Sequence, residues 1–152
     1  MANHGTIFYV DDNPKSRRLL SSVIGSCGFN VVSAGDPLEA LSRIRKSSFD
    51  LALLDYQMPH LTGPQLAQKI KSTKPDVPVV LISGFSALPA FELIFVDAHV
   101  GRGATLDDLL DTIRRLIDSR HAFFNAEIVP PSSATATARM SPYPMPEGSV
   151  SN

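Results

Sequence analysis

Three aspartates in this chain have the type and placement to do chemistry together. The apolar run Thr6-Ile7-Phe8-Tyr9-Val10 ends in Asp11 and Asp12, and the run Leu51-Ala52-Leu53-Leu54 ends in Asp55, followed by Tyr56-Gln57-Met58-Pro59. A short apolar run bounded by a turn signal reads as a strand buried on both faces. A carboxylate at its last position is lifted to the rim of a sheet, where solvent begins. Carboxylates converging there repel one another at neutral pH unless a cation lies among them. Magnesium suits such a place, because it takes a few hard oxygen ligands and keeps several waters. A carboxylate beside it can act as a nucleophile, and aspartate is a known acceptor of phosphoryl groups. Charge that builds up during such a transfer also calls for a hydroxyl such as Ser83 and a cation such as Arg102.

The elements that must bring these residues together alternate along the chain. Strand-like runs cover residues 6–10, 30–34, 51–56, 77–83 and 98–102, and helical patterns lie between and after them. Asn13 or Asp12 can cap a first helix with Pro14 at its first position, and Gly28 closes it. Its inward stripe is Leu19, Leu20, Val23, Ile24 and Cys27. Asp36-Pro37 opens a second helix facing inward through Leu38, Leu41 and Ile44, and residues 62–73 form a third on Leu66, Ala67 and Ile70. A fourth helical segment near residues 87–95 is weakly patterned, whereas a fifth over residues 105–120 has a clear stripe from Leu106 to Ile117. Five strands alternating with five helices predict an α/β, flavodoxin-like, doubly wound parallel sheet in the order 2-1-3-4-5. Ligands of such sheets gather at the carboxyl ends of the strands, near the switch in strand order. The first and third strands are neighbours there, so Asp11, Asp12 and Asp55 converge, with Ser83 and Arg102 farther along.

Bulk properties narrow the classes of function. The 152 residues suit one domain, with 14 basic residues balancing 15 acidic ones. Nothing in this balance points to nucleic acid or to a membrane surface. The lone Cys27 excludes an internal disulfide and reads as a helix residue of the core. The start has no signal-peptide pattern and no run reaches membrane-spanning length, so a cytoplasmic location is expected. His4, His60, His99 and His121 lack zinc-ligand spacing, and the glycines form no dinucleotide fingerprint. Arg17-Arg18 and Arg114-Arg115 read as solvated helix faces. From Ala122 the composition shifts to Pro, Ser, Thr and Ala, with five prolines in residues 130–152. That stretch is expected to be a disordered tail following a domain of residues 1–121, with no output domain on either side.

The chain resembles the receiver domain of bacterial two-component response regulators, the CheY-like family of the chemotaxis response regulator. The resemblance rests on Asp55-x-x-Met58-Pro59-x-x-x-Gly63 together with Asp11-Asp12. Supporting motifs are Gly28-Phe29-x-Val31-x-x-Ala34 leading to Ala40-Leu41, and Ser83-Gly84. It runs from about Thr6 to Ile117. It implies that Asp55 accepts a phosphoryl group from a phosphohistidine on a sensor histidine kinase or histidine phosphotransfer protein. It further implies that Asp11, Asp12, Asp55 and the backbone carbonyl of Gln57 hold Mg2+, and that Ser83 binds the new phosphoryl group and draws its loop inward. A single-domain response regulator or phosphorelay carrier of this kind signals to a downstream protein by contact. It is no enzyme beyond magnesium-dependent self-phosphorylation and dephosphorylation, and the resemblance also allows a homodimer.

The chain departs from the family's pattern after the fifth strand. Arg102 stands where the family has lysine and Gly103 where it has proline, while His99 takes the place of the switch aromatic. Arginine keeps the charge but is planar, forked and bulkier. The stretch from Leu88 to Val96 is unusually apolar, and the span from Ser83 to Arg102 is about a helical turn short. That stretch reads as a buried irregular connection, or as a docking face for a partner. An alternative function is therefore a phosphorylation-independent interaction module on the same fold. A phosphatase with Asp55 as nucleophile fits less well, since Gln57 stands where such enzymes place a second acid.

Overall fold

The computed structural model describes residues 3–128. The strands are β1 (Thr6–Val10), β2 (Asn30–Ala34), β3 (Leu51–Asp55), β4 (Val79–Ile82) and β5 (Ala98–Val100). They pair in parallel in the order β2-β1-β3-β4-β5, as the alternation of elements predicts. The register aligns Val10 with Leu54 and Asp55 with Ile82, so the residues that follow β1 stand beside the end of β3.

Period-two alternation sends successive side chains of each strand to opposite layers. Phe8, Val10, Ala52, Leu54, Val79 and Leu81 face one layer, which is completed by Ala40, Ile44, Leu66, Ala67 and Ile70. Ile7, Tyr9, Leu51, Leu53 and Val80 face the other, completed by Ile24, Leu109, Leu110, Ile113 and Ile117. Every residue of Leu51–Leu54 is fully buried. At roughly 1.5–3 kcal/mol per buried aliphatic side chain, β3 is firmly anchored, as is its neighbour β1, whose Ile7, Phe8, Tyr9 and Val10 are at most 1% exposed.

Four α-helices cover the sheet: α1 (Pro14–Ser26), α2 (Pro37–Ile44), α3 (Gly63–Thr73) and α4 (Leu106–Ile128). Asn13, not Asp12, caps α1, its side chain accepting from the amides of Lys15 and Ser16. Thr62 and Gln65 form a capping box at α3. The fourth helical segment expected near residues 87–95 is only a four-residue 3₁₀ turn, Ala90–Leu93. Its sequence has no continuous stripe: Leu88, Leu93 and Val96 pack on the core, while Phe91 and Ile94 are 71% and 70% exposed. Three side chains expected on the helix stripes point out instead, Leu19 of α1 at 69% exposure, Leu38 of α2 at 50% and Leu106 of α4 at 44%. Each lies at the margin of its stripe, and the sheet covers only one side of each helix. Cys27 is half-buried at the edge of the core.

β1 and β2 have the expected bounds, whereas β3, β4 and β5 are shorter than their sequence patterns, because Tyr56, Ser83 and Arg102 already belong to loops. The last helix passes the expected end at Arg120 and reaches Ile128. The proline-rich tail beyond it lies outside the described residues. Among the described residues, no helix is long and apolar enough to cross a membrane.

Candidate functional site

The loop after β1 is built around Asp11. One carboxylate oxygen, Oδ1, accepts the backbone N–H of Asn13 at 2.9 Å, and Oδ2 accepts the hydroxyl of Tyr9 at 2.6 Å. Since Asn13 caps α1, Asp12 is left exposed at the rim. Arg17, expected on a solvated face, reaches back from α1 and donates from Nη1 to the backbone carbonyl of Asp11 at 2.8 Å.

Asp55 is placed from the other side by the loop that leads into α3. The Gly63 N–H donates to the Tyr56 carbonyl at 2.9 Å, folding the loop back on the strand it leaves. A Cβ on Gly63 would stand 2.5 Å from the Asp55 carbonyl oxygen and 2.4 Å from Leu81, so only glycine fits there. Within the loop, Leu61 N–H donates to the Pro59 carbonyl around His60, whose φ of 74° is unusual for a residue with a side chain.

Asp11, Asp12 and Asp55 each offer a carboxylate oxygen, and these oxygens lie within 4.8 Å of one another. They line a cavity of about 730 Å³ together with Gln57, Ser83 and Gly84, and its apolar wall comes from Leu19, Leu20, Val23 and Leu106. Burial, and then the charges of Asp11 and Asp12, push the Asp55 carboxyl up to about 6. Three crowded hard-oxygen donors that resist being charged together fit a small divalent cation such as magnesium. With such an ion neutralising it, Asp55 is an accessible oxygen nucleophile at the rim.

The remaining expected residues divide. Ser83 lies at the cavity, and its Oγ is 2.6 Å from His99 Nε2 and donates to the Phe85 carbonyl at 3.2 Å. Burial holds His99 below the ordinary histidine range. Arg102 is exposed and is not among the cavity's lining residues; its backbone N–H donates to the Phe85 carbonyl at 2.9 Å. Gly101 permits that approach, since a Cβ there would meet the same carbonyl oxygen at 2.3 Å. Tyr56, next to Asp55, sets its ring edge-on to Phe85, and the Glu92 carboxylate of the 3₁₀ turn pushes its hydroxyl pKa up.

Sequence reasoning missed Tyr9 and Arg17. The signal for Tyr9 was available: it stands two residues before Asp11, so the strand's alternation, carried one residue past its end, puts both side chains on one face. For Arg17 nothing local separates it from Arg18.

The family model for the response regulator receiver domain matches residues 7–100. Over 110 residues, 70% of this chain, the sequence is 32% identical to the sensor histidine kinase RcsC of Salmonella typhi, and the match covers 12% of that kinase. The chain thus corresponds to a small part of the curated relative it matches. The response regulator TrrA of Thermotoga maritima, solved in complex with Mg(2+)-BeF, superimposes with a TM-score of 0.69 at 27% identity. That similarity covers 76% of this chain and 99% of the other. TrrA solved in complex with the histidine kinase ThkA gives a TM-score of 0.67 at 27% identity, covering 76% of this chain and 98% of the other.

Proposed function

This chain belongs to the response regulator receiver domain family of two-component systems, and on that premise we propose that it is a phosphorylatable switch with Asp55 as its phosphoryl acceptor. An Asp55 carboxylate oxygen attacks the phosphorus of a phosphohistidine. The P–N bond breaks as the P–O bond forms, the histidine leaves, and the protein carries an acyl phosphate. The donor is a sensor histidine kinase or a histidine phosphotransfer protein, and the reading extends to action in the cytoplasm as a free-standing domain. The observation that carries this reading is the convergence of Asp11, Asp12 and Asp55 at one cavity. The likeness to a regulator solved with a histidine kinase supports the choice of donor.

Asp11, Asp12, Asp55 and the backbone carbonyl of Gln57 would hold magnesium, which supplies charge neutralisation for the transferring group. Ser83 then binds a phosphoryl oxygen. To do so its hydroxyl gives up His99 or Phe85, and the Ser83–Phe85 loop moves. Tyr56, joined to both Phe85 and Glu92, carries that movement to the apolar 3₁₀ turn, where a downstream protein reads it. Arg102 reaches the phosphoryl group only by a change of side-chain conformation.

The test is incubation with magnesium and acetyl phosphate, followed by intact mass. The expected result is a single acid- and base-labile phosphoryl adduct, absent from Asp55→Asn and from chelator-treated protein. Wild-type protein that stays unmodified, both here and with a phosphorylated histidine kinase, overturns the reading.

One observation favours a second reading. Arg102 lies outside the cavity lining and Ser83 is already hydrogen-bonded, which suits a phosphorylation-independent interaction module. Partner binding unchanged in Asp55→Asn distinguishes it.

A further inference from the structure

A hydroxyl sealed in the core presses on one member of the acidic trio. Tyr9 is 1% exposed, with its ring in the layer that holds Ile7 and Leu53. A polar partner stands two residues on, just past the end of its strand, where the two-residue alternation keeps both side chains on one face. There it donates to Asp11 Oδ2 at 2.6 Å. The other oxygen of Asp11 accepts the amide of Asn13, itself fixed as the cap of α1. An ionised carboxylate has about four acceptor sites, and protein donors that cannot move take one on each oxygen. Asp11, only 7% exposed, therefore cannot pivot.

We propose that Tyr9 is a positioning residue that pins Asp11 as a one-oxygen ligand and thereby biases the site toward magnesium over calcium. The proposal rests on the reading of the acidic trio as a magnesium-dependent acceptor site. Magnesium needs one oxygen from each carboxylate in a near-octahedral arrangement completed by water. Calcium takes six to eight oxygens at longer distances and gains from carboxylates that turn edge-on to chelate it. A carboxylate held at both oxygens serves the first ion and withholds chelation from the second. Groups that orient metal ligands from behind typically matter by 10- to 100-fold in affinity.

The experiment measures magnesium and calcium affinities by calorimetry on the full chain, at fixed pH and ionic strength, for wild type and Tyr9→Phe. The variant keeps the ring and removes one buried oxygen. Magnesium affinity should fall roughly tenfold or more, while calcium affinity holds or rises, so the ratio between them drops. Equal weakening of both ions overturns the proposal, since lost packing alone would produce it, and so does an unchanged ratio. A second readout leaves Tyr9 unchanged. In wild-type protein carrying 3-fluorotyrosine, the fluorine resonance of Tyr9, assigned with Tyr56→Phe and Tyr143→Phe, should move on magnesium addition with the calorimetric midpoint. A resonance that stays still overturns the proposal. Wild type that binds magnesium and is phosphorylated, beside a Tyr9→Phe protein with the same ion preference, removes this inference alone. Wild type that takes no magnesium removes the acceptor reading with it.

Discussion

Asp55 holds its proton to about pH 6 in the folded chain, against 3.8 for an unperturbed aspartate. Between those values the folded state binds more protons than the unfolded one, so stability declines as pH rises. The contribution is complete below the lower value and lost as pH passes the upper one. Asp55→Asn, which cannot ionise, should therefore be the more stable protein at neutral pH in the presence of a chelator. The gain is on the order of 1–2 kcal/mol once screening at the open rim is allowed for, and it should vanish in acid; thermal unfolding across pH checks both. Equal stability at neutral pH would mean that the three carboxylates do not strain the site. Ser83 poses a different competition, because its hydroxyl is held by His99 before any phosphoryl group arrives. Replacing that ring by phenylalanine removes the rival, so the adduct on His99→Phe should persist longer by the worth of one hydrogen bond, roughly 0.5–1.5 kcal/mol. Following adduct decay by mass spectrometry decides it, and a shorter lifetime would contradict the role given to His99.

At the scale of elements, the loop between β3 and α3 places Asp55, the proposed acceptor. Gly63→Ala would drive a methyl group into the Asp55 carbonyl and Leu81. The expected cost is about 1–3 kcal/mol, with a loss of phosphorylation larger than the loss of stability, measured by denaturant unfolding beside adduct yield. An alanine variant with wild-type yield would show that the strand end tolerates displacement. The five strands were legible because each is a short apolar run closed by a turn signal, and Asn13-Pro14 and Asp36-Pro37 marked two helix starts. The segment around Leu88–Val96 was not legible as a 3₁₀ turn. Its apolar residues fit a helix in number, but their spacing buries only alternate turns, and Pro89 begins the segment without a side-chain cap. Leu19 and Leu38 misled for a related reason, since hydrophobicity alone does not say how wide a stripe the sheet can cover.

At the scale of the whole molecule, the end of the sheet opposite the acidic cavity is fastened separately. Arg120 of α4 bridges Asp50 at 3.0 Å and Asp76 at 2.9 Å, while Asp50 also accepts the Thr6 amide. Its cation holds the Asp76 carboxyl below the usual range. Arg120→Ala removes the cation from a part-buried Asp50, leaving it the Thr6 amide and the neighbouring His121, and should destabilise the protein by roughly 1–3 kcal/mol, leaving magnesium affinity unchanged; unfolding curves and calorimetry test the pair. A fall in magnesium affinity would show that the two ends are not independent. The meeting of Asp11, Asp12 and Asp55 could be foreseen only through this global arrangement: Asp55 lies 43 positions after Asp12, and the strand order alone makes them neighbours. The choice of Asn13 over Asp12 as cap and the reach of Arg17 depend on rotamers, which the order of strands does not determine.

The two ends of the sheet's third-to-fifth span differ in how firmly they are tied. β3 is flanked by strands on both sides with no exposed residue before Asp55, whereas β5 has three half-buried residues and one neighbour. In heavy water the amides of Leu53 and Leu54 should thus trade hydrogen for deuterium only when the entire domain opens, and those of β5 through far smaller excursions. On the proposed reading, a mark on Asp55 would sit at the end of a slowly exchanging strand, two strands away from one that opens through small excursions.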